Sequence, residues 1–170
     1  MSSKCIGSVA LAACVLLFGA ARPVVDGGRE FESAAYGFAF DPPEFEVDPD
    51  CANSMVAHFY GPPEDGFAPN VNIQRQRYEG SIEEYAKLSE AQTESANWKL
   101  LESKAGAIGD RATHRMRAQA TLASNDLEFV SLAVRDGESH VLLFTYTVPQ
   151  ARADELEKAI EESIASLKFD

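Results

Sequence analysis

The sequence predicts an α+β domain in which an antiparallel β-sheet of about six to seven strands packs between helices. Seven segments have the alternating or β-branched pattern that is typical of strands. Turn-forming residues separate the last four segments by short gaps, which favours antiparallel hairpins over crossover helices. Two further segments have the apolar periodicity of amphipathic helices, and these provide covers for the sheet.

The composition is that of a single globular domain. The 170 residues are 45% hydrophobic and 25% charged, which supports one core and argues against a disordered chain. The 27 acidic and 15 basic residues give a formal net charge of −12. Because such a surface repels phosphate backbones, nucleic acid is not an expected partner.

The first 21 residues have the form of an export signal. Lys4 is followed by an uncharged run from Cys5 to Ala21. This run is shorter than the roughly 20 residues that span a bilayer comfortably. Gly19 and Ala21 are small enough for a signal-peptidase site, so cleavage near Ala21 and export to the periplasm or the outside are expected.

A lipid anchor is the alternative for this segment. Residues 11–14 read Leu-Ala-Ala-Cys, the form of a bacterial lipobox in which Cys14 would be lipid-modified. Against this reading, residues 15–18 continue the apolar run past Cys14. Cleavage near Ala21 would leave Cys51 as the one remaining cysteine of the chain. Its side chain is expected to pack as a small hydrophobe, and the alternatives are a reactive thiol or pairing with another chain.

Prolines, turn-forming residues and a helix capping box predict the elements in the first half of the domain. Residues 22–33 have a linker composition, so the single domain is predicted to span residues 34–170. Its first strand, residues 36–40, stops at two prolines. The next strands form a loose hairpin, and Ser81 and Glu84 then have the spacing of a helix capping box. These two strands cover residues 55–60 and 71–78, and the helix ends near Asn97.

The second half is predicted as four antiparallel strands and a helix. The four strands cover residues 98–103, 111–122, 127–135 and 140–148. The last strand is apolar on both faces, which predicts a central strand that is covered on both sides. The C-terminal helix supplies one cover, because its apolar residues form one stripe: Leu156, Ile160, Ile164 and Leu167.

Five short segments carry a resemblance to a known fold family. They are residues 36–43 (YGFAFDPP), 69–73 (PNVNI), 81–85 (SIEEY), 108–112 (IGDRA) and 163–169 (SIASLKF). Together they resemble the PsbP-like and DcrB-like family of exported bacterial lipoproteins and the extrinsic PsbP subunit of photosystem II. The resemblance implies an α/β/α sandwich in a protein that docks on other components, without shared catalytic residues. The metal and subunit contacts of the photosynthetic member find no match here.

No strong catalytic or metal-binding motif occurs in the sequence. It lacks G-x-S-x-G, P-loop, G-x-G-x-x-G and H-E-x-x-H patterns, so neither an enzyme nor a cofactor is expected. His58, His114 and His140 fall in three different predicted strands and are expected to be partly buried structural residues. The acidic segment 41–50 lacks the glycine of an EF-hand loop, which predicts a solvated loop and no metal.

The candidate binding residues are five arginines. Alternation places two on one side of the third predicted strand and three on one side of the fifth: Arg75, Arg77, Arg111, Arg115 and Arg117. If these faces align, they form a cationic patch for a carboxylate, a phosphate or an acidic partner surface. The alternative is pairing with acids such as Glu102 or Glu128, where each exposed pair contributes only about 0–1 kcal/mol.

These features predict a non-enzymatic, exported binding or assembly module of the cell envelope, which docks on a protein partner or another envelope component. The alternative is a small-ligand carrier or an enzyme whose cleft lies between the sheet and the loops of residues 42–63. The partner and the oligomeric state are left open by the sequence.

Overall fold

The computed structural model describes residues 30–51 and 55–170. The predicted export signal, the alternative lipidation site Cys14 and most of the predicted linker lie outside these ranges. Within them, no helix is both long enough and apolar enough to cross a bilayer.

Ten strands and two helices make up the described part of the domain. The strands are β1 (Phe31–Ser33), β2 (Phe38–Phe40), β3 (Glu46–Val47), β4 (Ala57–Tyr60), β5 (Asn70–Arg77), β6 (Lys99–Ile108), β7 (Arg111–Leu122), β8 (Asn125–Asp136), β9 (His140–Pro149) and β10 (Lys168–Phe169). The helices are α1 (Ile82–Ser95) and α2 (Ala153–Ala165), and a short 3-10 turn (Gln150–Arg152) leads into α2.

The strands form a large sheet and a small one. The large sheet has seven strands in the order β3-β4-β5-β9-β8-β7-β6, and the small sheet has the order β1-β2-β10. All neighbouring strands are antiparallel. The α+β fold class and the antiparallel sheet predicted from the sequence are therefore confirmed.

Helix α1 covers one face of the large sheet, while α2 and the small sheet cover the other. We call these the α1 face and the α2 face. On the α2 face, the ring of Phe144 in β9 lies 5.4 Å from that of Phe38 and 5.8 Å from that of Phe40. Ile160 of α2 joins the same core. On the α1 face, Ile82 and Tyr85 pack on a smaller apolar cluster.

Strand β1 lies at the N-terminal boundary of the predicted domain. It includes residues 31–33, which the sequence composition had placed in the linker, and it pairs with β2. The reason is Phe31, whose ring packs 5.2 Å from that of Phe59 and 5.9 Å from that of Phe40. An aromatic side chain that contacts the core fixes the backbone around it.

Polar contacts hold both helices in place. Ser81 Oγ accepts a hydrogen bond from the Glu84 amide at 3.2 Å, and Glu84 Oε2 accepts one from the Ser81 amide at 2.9 Å. This is the predicted capping box. Helix α2 is fixed to the sheet by Tyr146 and Ser163, whose buried hydroxyl oxygens lie 3.0 Å apart. Burial raises the pKa of Tyr146, which stays protonated.

Strand β6 forms one edge of the large sheet and is longer than predicted. It runs on to Ile108, well past the predicted end at Ser103. Leu100 and Leu101 are 42% and 39% exposed there. The register with β7 shifts between Leu100 and Glu102, which marks a β-bulge in this edge.

Two histidines are buried on the α1 face of the large sheet. The side chains of His58 and His114 are 1% and 7% exposed. Burial lowers the pKa of His58, against opposing effects of Asn70 and Asp48. Burial also lowers the pKa of His114, and the charge of Glu90 opposes it. Both rings are therefore neutral near pH 7.

We expect the replacement Phe144→Ala to lower the free energy of unfolding by about 3–5 kcal/mol, because it opens a cavity between β9 and the small sheet. Urea denaturation measures this change. Val47→Ala, at a side chain that is 51% exposed, is the matched control and is expected to change stability by less than about 0.5 kcal/mol. Similar losses for both variants would contradict this assignment of the core.

We also expect stability to fall as the pH drops below about 6.5, the pKa of an unperturbed histidine. Because the folded-state pKa values of His58 and His114 are lowered, the unfolded chain binds their protons first and gains population. The contribution of neutral histidine is complete above that pH and is lost below it. Urea denaturation at a series of pH values should give a shallower decline for His114→Gln than for the wild type. Equal slopes would contradict the prediction.

Candidate functional site

All five predicted arginines lie on the α2 face of the large sheet. Arg75 is opposite Leu142 of β9, while Arg115 and Arg117 are opposite Leu132 and Val130 of β8. The two strand faces that carry the arginines therefore lie on the same side of the sheet, which was the condition for a shared patch. However, the arginines form two groups at different places on the face, and the first group joins Arg75 of β5 to Arg111 of β7 through Asp136 of β8.

The first group surrounds Asp136 at the end of β8. Arg75 Nε donates to its carboxylate at 2.7 Å, and Arg111 lies 3.4 Å from the other oxygen. The guanidinium of Arg111 also stacks over the Phe169 ring, 4.5 Å from its centre. Arg77 lies apart, largely exposed, and pairs with Glu79. These arginines are bound to groups of the same chain.

The second group links β7 to α2, and we call it the β7–α2 charge cluster. Arg115 pairs with Glu161 of α2 and, at 3.8 Å, with Glu102 of β6. Arg117 pairs with Glu157 of α2 at 3.0 Å, and its Nε donates to Glu128 of β8. Four carboxylates therefore surround two guanidinium groups: Glu102, Glu128, Glu157 and Glu161.

The cluster corrects the expectation of a cationic patch. Each guanidinium is neutralised by carboxylates of the same chain, and the acids outnumber the arginines. The alternative that the sequence left open, pairing with acids such as Glu102 and Glu128, describes the structure. A surface of this kind attracts cationic groups and repels carboxylates and phosphates.

Glu128 is the structural centre of the cluster. Its side chain is only 3% exposed, and it accepts hydrogen bonds from Arg117 and, at 2.9 Å, from Gln119. Partial burial disfavours the charged form of Arg117, but the hydrogen bond and charge of Glu128 outweigh this effect, so the pKa of Arg117 rises. This pair fixes the position of Arg117 below α2.

The outer acids of the cluster border an open groove between the β6–β7 hairpin and α2. Its volume is about 480 Å³, and it is lined by Leu101, Glu102, Arg115, Arg117, Glu157 and Glu161. The side chains of Glu102, Glu157 and Glu161 are 39%, 49% and 43% exposed. Their carboxylates therefore keep free coordination directions toward solvent. Leu101 adds an exposed apolar contact at the sheet edge.

Sequence reasoning named Glu102 and Glu128 but missed Glu157 and Glu161. A spacing argument could have found them. Residues four apart on a helix are displaced by about 6 Å, and residues two apart on a strand by roughly 6.6 Å. Glu157 and Glu161 therefore match the spacing of Arg117 and Arg115 when α2 runs antiparallel to β7.

The fold and groove define a layered α+β domain with a charged surface groove, and proteins of this architecture have been solved from distant organisms. CyanoP, the cyanobacterial PsbP of Synechocystis sp. PCC 6803, aligns with a TM-score of 0.63 and 9% identity, covering 89% of this chain and 98% of CyanoP. LpqN, involved in cell envelope biogenesis of Mycobacterium tuberculosis, gives 0.65 and 8%, covering 84% and 90%. The Ran-binding protein Mog1p of Saccharomyces cerevisiae gives 0.59 and 9%, covering 84% and 95%.

The chain therefore has a PsbP/Mog1-like fold, which confirms the resemblance found in the sequence. No family model matches the sequence, and neither does any curated protein. At identities of 8–9%, the structural likeness shows the fold alone.

Glu128 is buried and Glu157 is exposed, so their replacement should affect the stability of the domain differently. We expect Glu128→Gln to lower the free energy of unfolding by about 2 kcal/mol, because it removes a charged acceptor from Arg117 in a buried position. Glu157→Gln changes an exposed partner of the same arginine and is expected to cost less than about 1 kcal/mol. Urea denaturation of both variants measures the difference, and equal losses would contradict it.

Proposed function

We propose that this chain is a non-enzymatic binding module exported to the cell envelope, where it docks on a protein partner or another envelope component. The observation that carries the proposal is the groove between the β6–β7 hairpin and α2. It combines exposed carboxylates with an exposed leucine on a rigid sheet and helix, and such mixed surfaces are typical of protein interfaces.

The charge of the groove selects the kind of partner. Because Arg115 and Arg117 are already bound to acids of the same chain, additional negative charge on the partner would be repelled. We infer a partner surface with lysine or arginine side chains that reach the outer carboxylates and an apolar group that contacts Leu101. Nucleic acid does not meet this description.

Two further observations support the cellular setting and the binding role. The N-terminal segment has the form of an export signal. One structural neighbour, LpqN, is involved in cell envelope biogenesis, and another, Mog1p, is a Ran-binding protein. The export signal and the roles of these two neighbours support a module of this fold that binds a partner outside the cytoplasm.

Site-specific photo-crosslinking in the native host tests the proposal. A photoreactive amino acid replaces Leu101 in the full-length protein, and in a matched control it replaces Glu83, an exposed residue of α1 on the opposite side of the sheet. We expect a discrete adduct from position 101 and none from position 83. The double change Glu157→Lys and Glu161→Lys should remove the adduct, and raising the salt concentration should weaken it.

Unfolding curves of the charge-reversal variant show whether the domain remains folded, since both acids are substantially exposed. The absence of an adduct from position 101, or equal adducts from both positions, would overturn the proposed docking site. An adduct that persists in the charge-reversal variant would contradict the inference that the partner surface is basic.

A further inference from the structure

Strand β6 ends the large sheet, and its outer side pairs with no strand of residues 30–51 or 55–170. All ten of its residues, from Lys99 to Ile108, are exposed or half-buried. The amide and carbonyl groups that β6 directs away from β7 therefore lack ladder hydrogen bonds within the described part of the chain.

The β6–β7 turn shows which amides of β6 point outward. Gly109, whose φ is +59°, starts a two-residue turn. The turn is closed by the register pair Ile108 and Arg111. The residues that close a two-residue hairpin loop exchange hydrogen bonds with each other. Because bonding alternates along an antiparallel strand, three amides then point away from β7, those of Ser103, Ala105 and Ala107.

The part of the edge that follows the β-bulge is regular and unobstructed. The register shift lies between Leu100 and Glu102, so β6 pairs with β7 without interruption from Glu102 to Ile108. Residues 105–107 read Ala-Gly-Ala, and all three are exposed. Small side chains allow another backbone to approach closely, so this part of β6 can accept a further strand.

The outer carboxylates of the β7–α2 charge cluster adjoin this edge. Glu102 belongs to β6 itself, and its side chain is 39% exposed. It lies on the α2 face, because its register partner is Arg117. Directly opposite side chains of two antiparallel strands have Cβ atoms about 4.5–5.5 Å apart. A strand added to β6 would therefore place one of its residues within ion-pair reach of Glu102.

We propose that the partner of the groove binds as an extended segment, which adds a strand to the large sheet along residues 102–107 of β6 and carries a lysine or arginine opposite Glu102. The inference rests on the proposed function and specifies the form of the partner. Main-chain hydrogen bonds to the three outward amides supply affinity, and the charge beside Glu102 supplies selectivity.

A second copy of this chain is a poorer occupant of the edge. Each copy has a formal net charge of −12. Pairing of two β6 strands would bring two sets of exposed groove carboxylates close together, and like charges across an interface oppose association. A basic segment of another protein instead reduces the local excess of negative charge.

Hydrogen exchange of the full-length protein with a defined peptide tests the proposal. The probe is a capped peptide of about ten residues in which lysine alternates with valine and threonine, and the comparison peptide has glutamate in place of lysine. We expect the lysine peptide, at about 1 mM and low salt, to slow exchange of the amides of Ser103, Ala105 and Ala107 roughly tenfold. The glutamate peptide should leave their exchange unchanged.

A proline on the outer side of β6 separates strand addition from charge attraction. Ala105→Pro removes the central outward amide and leaves the charge of the protein unchanged, and an edge strand tolerates proline where its nitrogen faces solvent. Ala105→Ser keeps the amide and is the matched control. We expect Ala105→Pro to bind the lysine peptide about tenfold more weakly than Ala105→Ser, or worse. Ala107→Pro provides a second measurement if Ala105→Pro does not fold.

Crosslinking from position 101 in the native host distinguishes this inference from the proposed function. The adduct should be lost in Ala105→Pro and retained in Ala105→Ser. An adduct that persists in Ala105→Pro would overturn strand addition and leave the docking groove in place. So would peptide binding without slower exchange of the outward amides, equal affinity of the two variants, or a homodimer that Ala105→Pro dissociates. The absence of any adduct would overturn the docking groove and, with it, the added strand.

Discussion

The domain depends on the burial of strand β9 on both of its faces. Phe144 and Tyr146 of this strand are completely buried on the α2 face, and Val141 is completely buried on the α1 face. A strand of this kind needs a layer on each side, which is why neither helix alone could complete the fold. The candidate groove lies beside α2, which covers one of these faces.

In this acidic chain, arginines of the large sheet pair with carboxylates of the same chain. Asp136 and Glu128 are carboxylates that the sheet brings close to apolar layers, and the arginines of β5 and β7 compensate them. Removing one partner of such a pair costs more than the pair itself contributes, because the other charge is left without compensation. The basic residues are therefore used mainly within the domain, and the outer surface keeps the acidic character of the whole sequence.

The sequence predicted the elements whose signals are local. The capping box of α1, the apolar stripe of α2 and the two apolar faces of β9 each depend on residues within one segment. Strands β3 and β10 have two residues each, which is too short for any alternation to be recognised. The row of register partners that runs from His58 through Asn72 and Thr145 to Ser131 combines four strands, so it exists only through their register, which no single segment encodes. The acids that neutralise Arg115 and Arg117 were incompletely predicted because two of them come from a helix far along the chain.

An open sheet has two edges, and here they differ greatly. Strand β3 ends one side with two residues, whereas β6 ends the other with ten. An exposed strand of that length can recruit a second strand and begin aggregation. The bulge near Leu101 interrupts the row of amide and carbonyl groups, and Lys99 and Lys104 would bring like charges together if two copies met there. The features that shape one wall of the groove therefore also protect the chain from forming fibrils with itself.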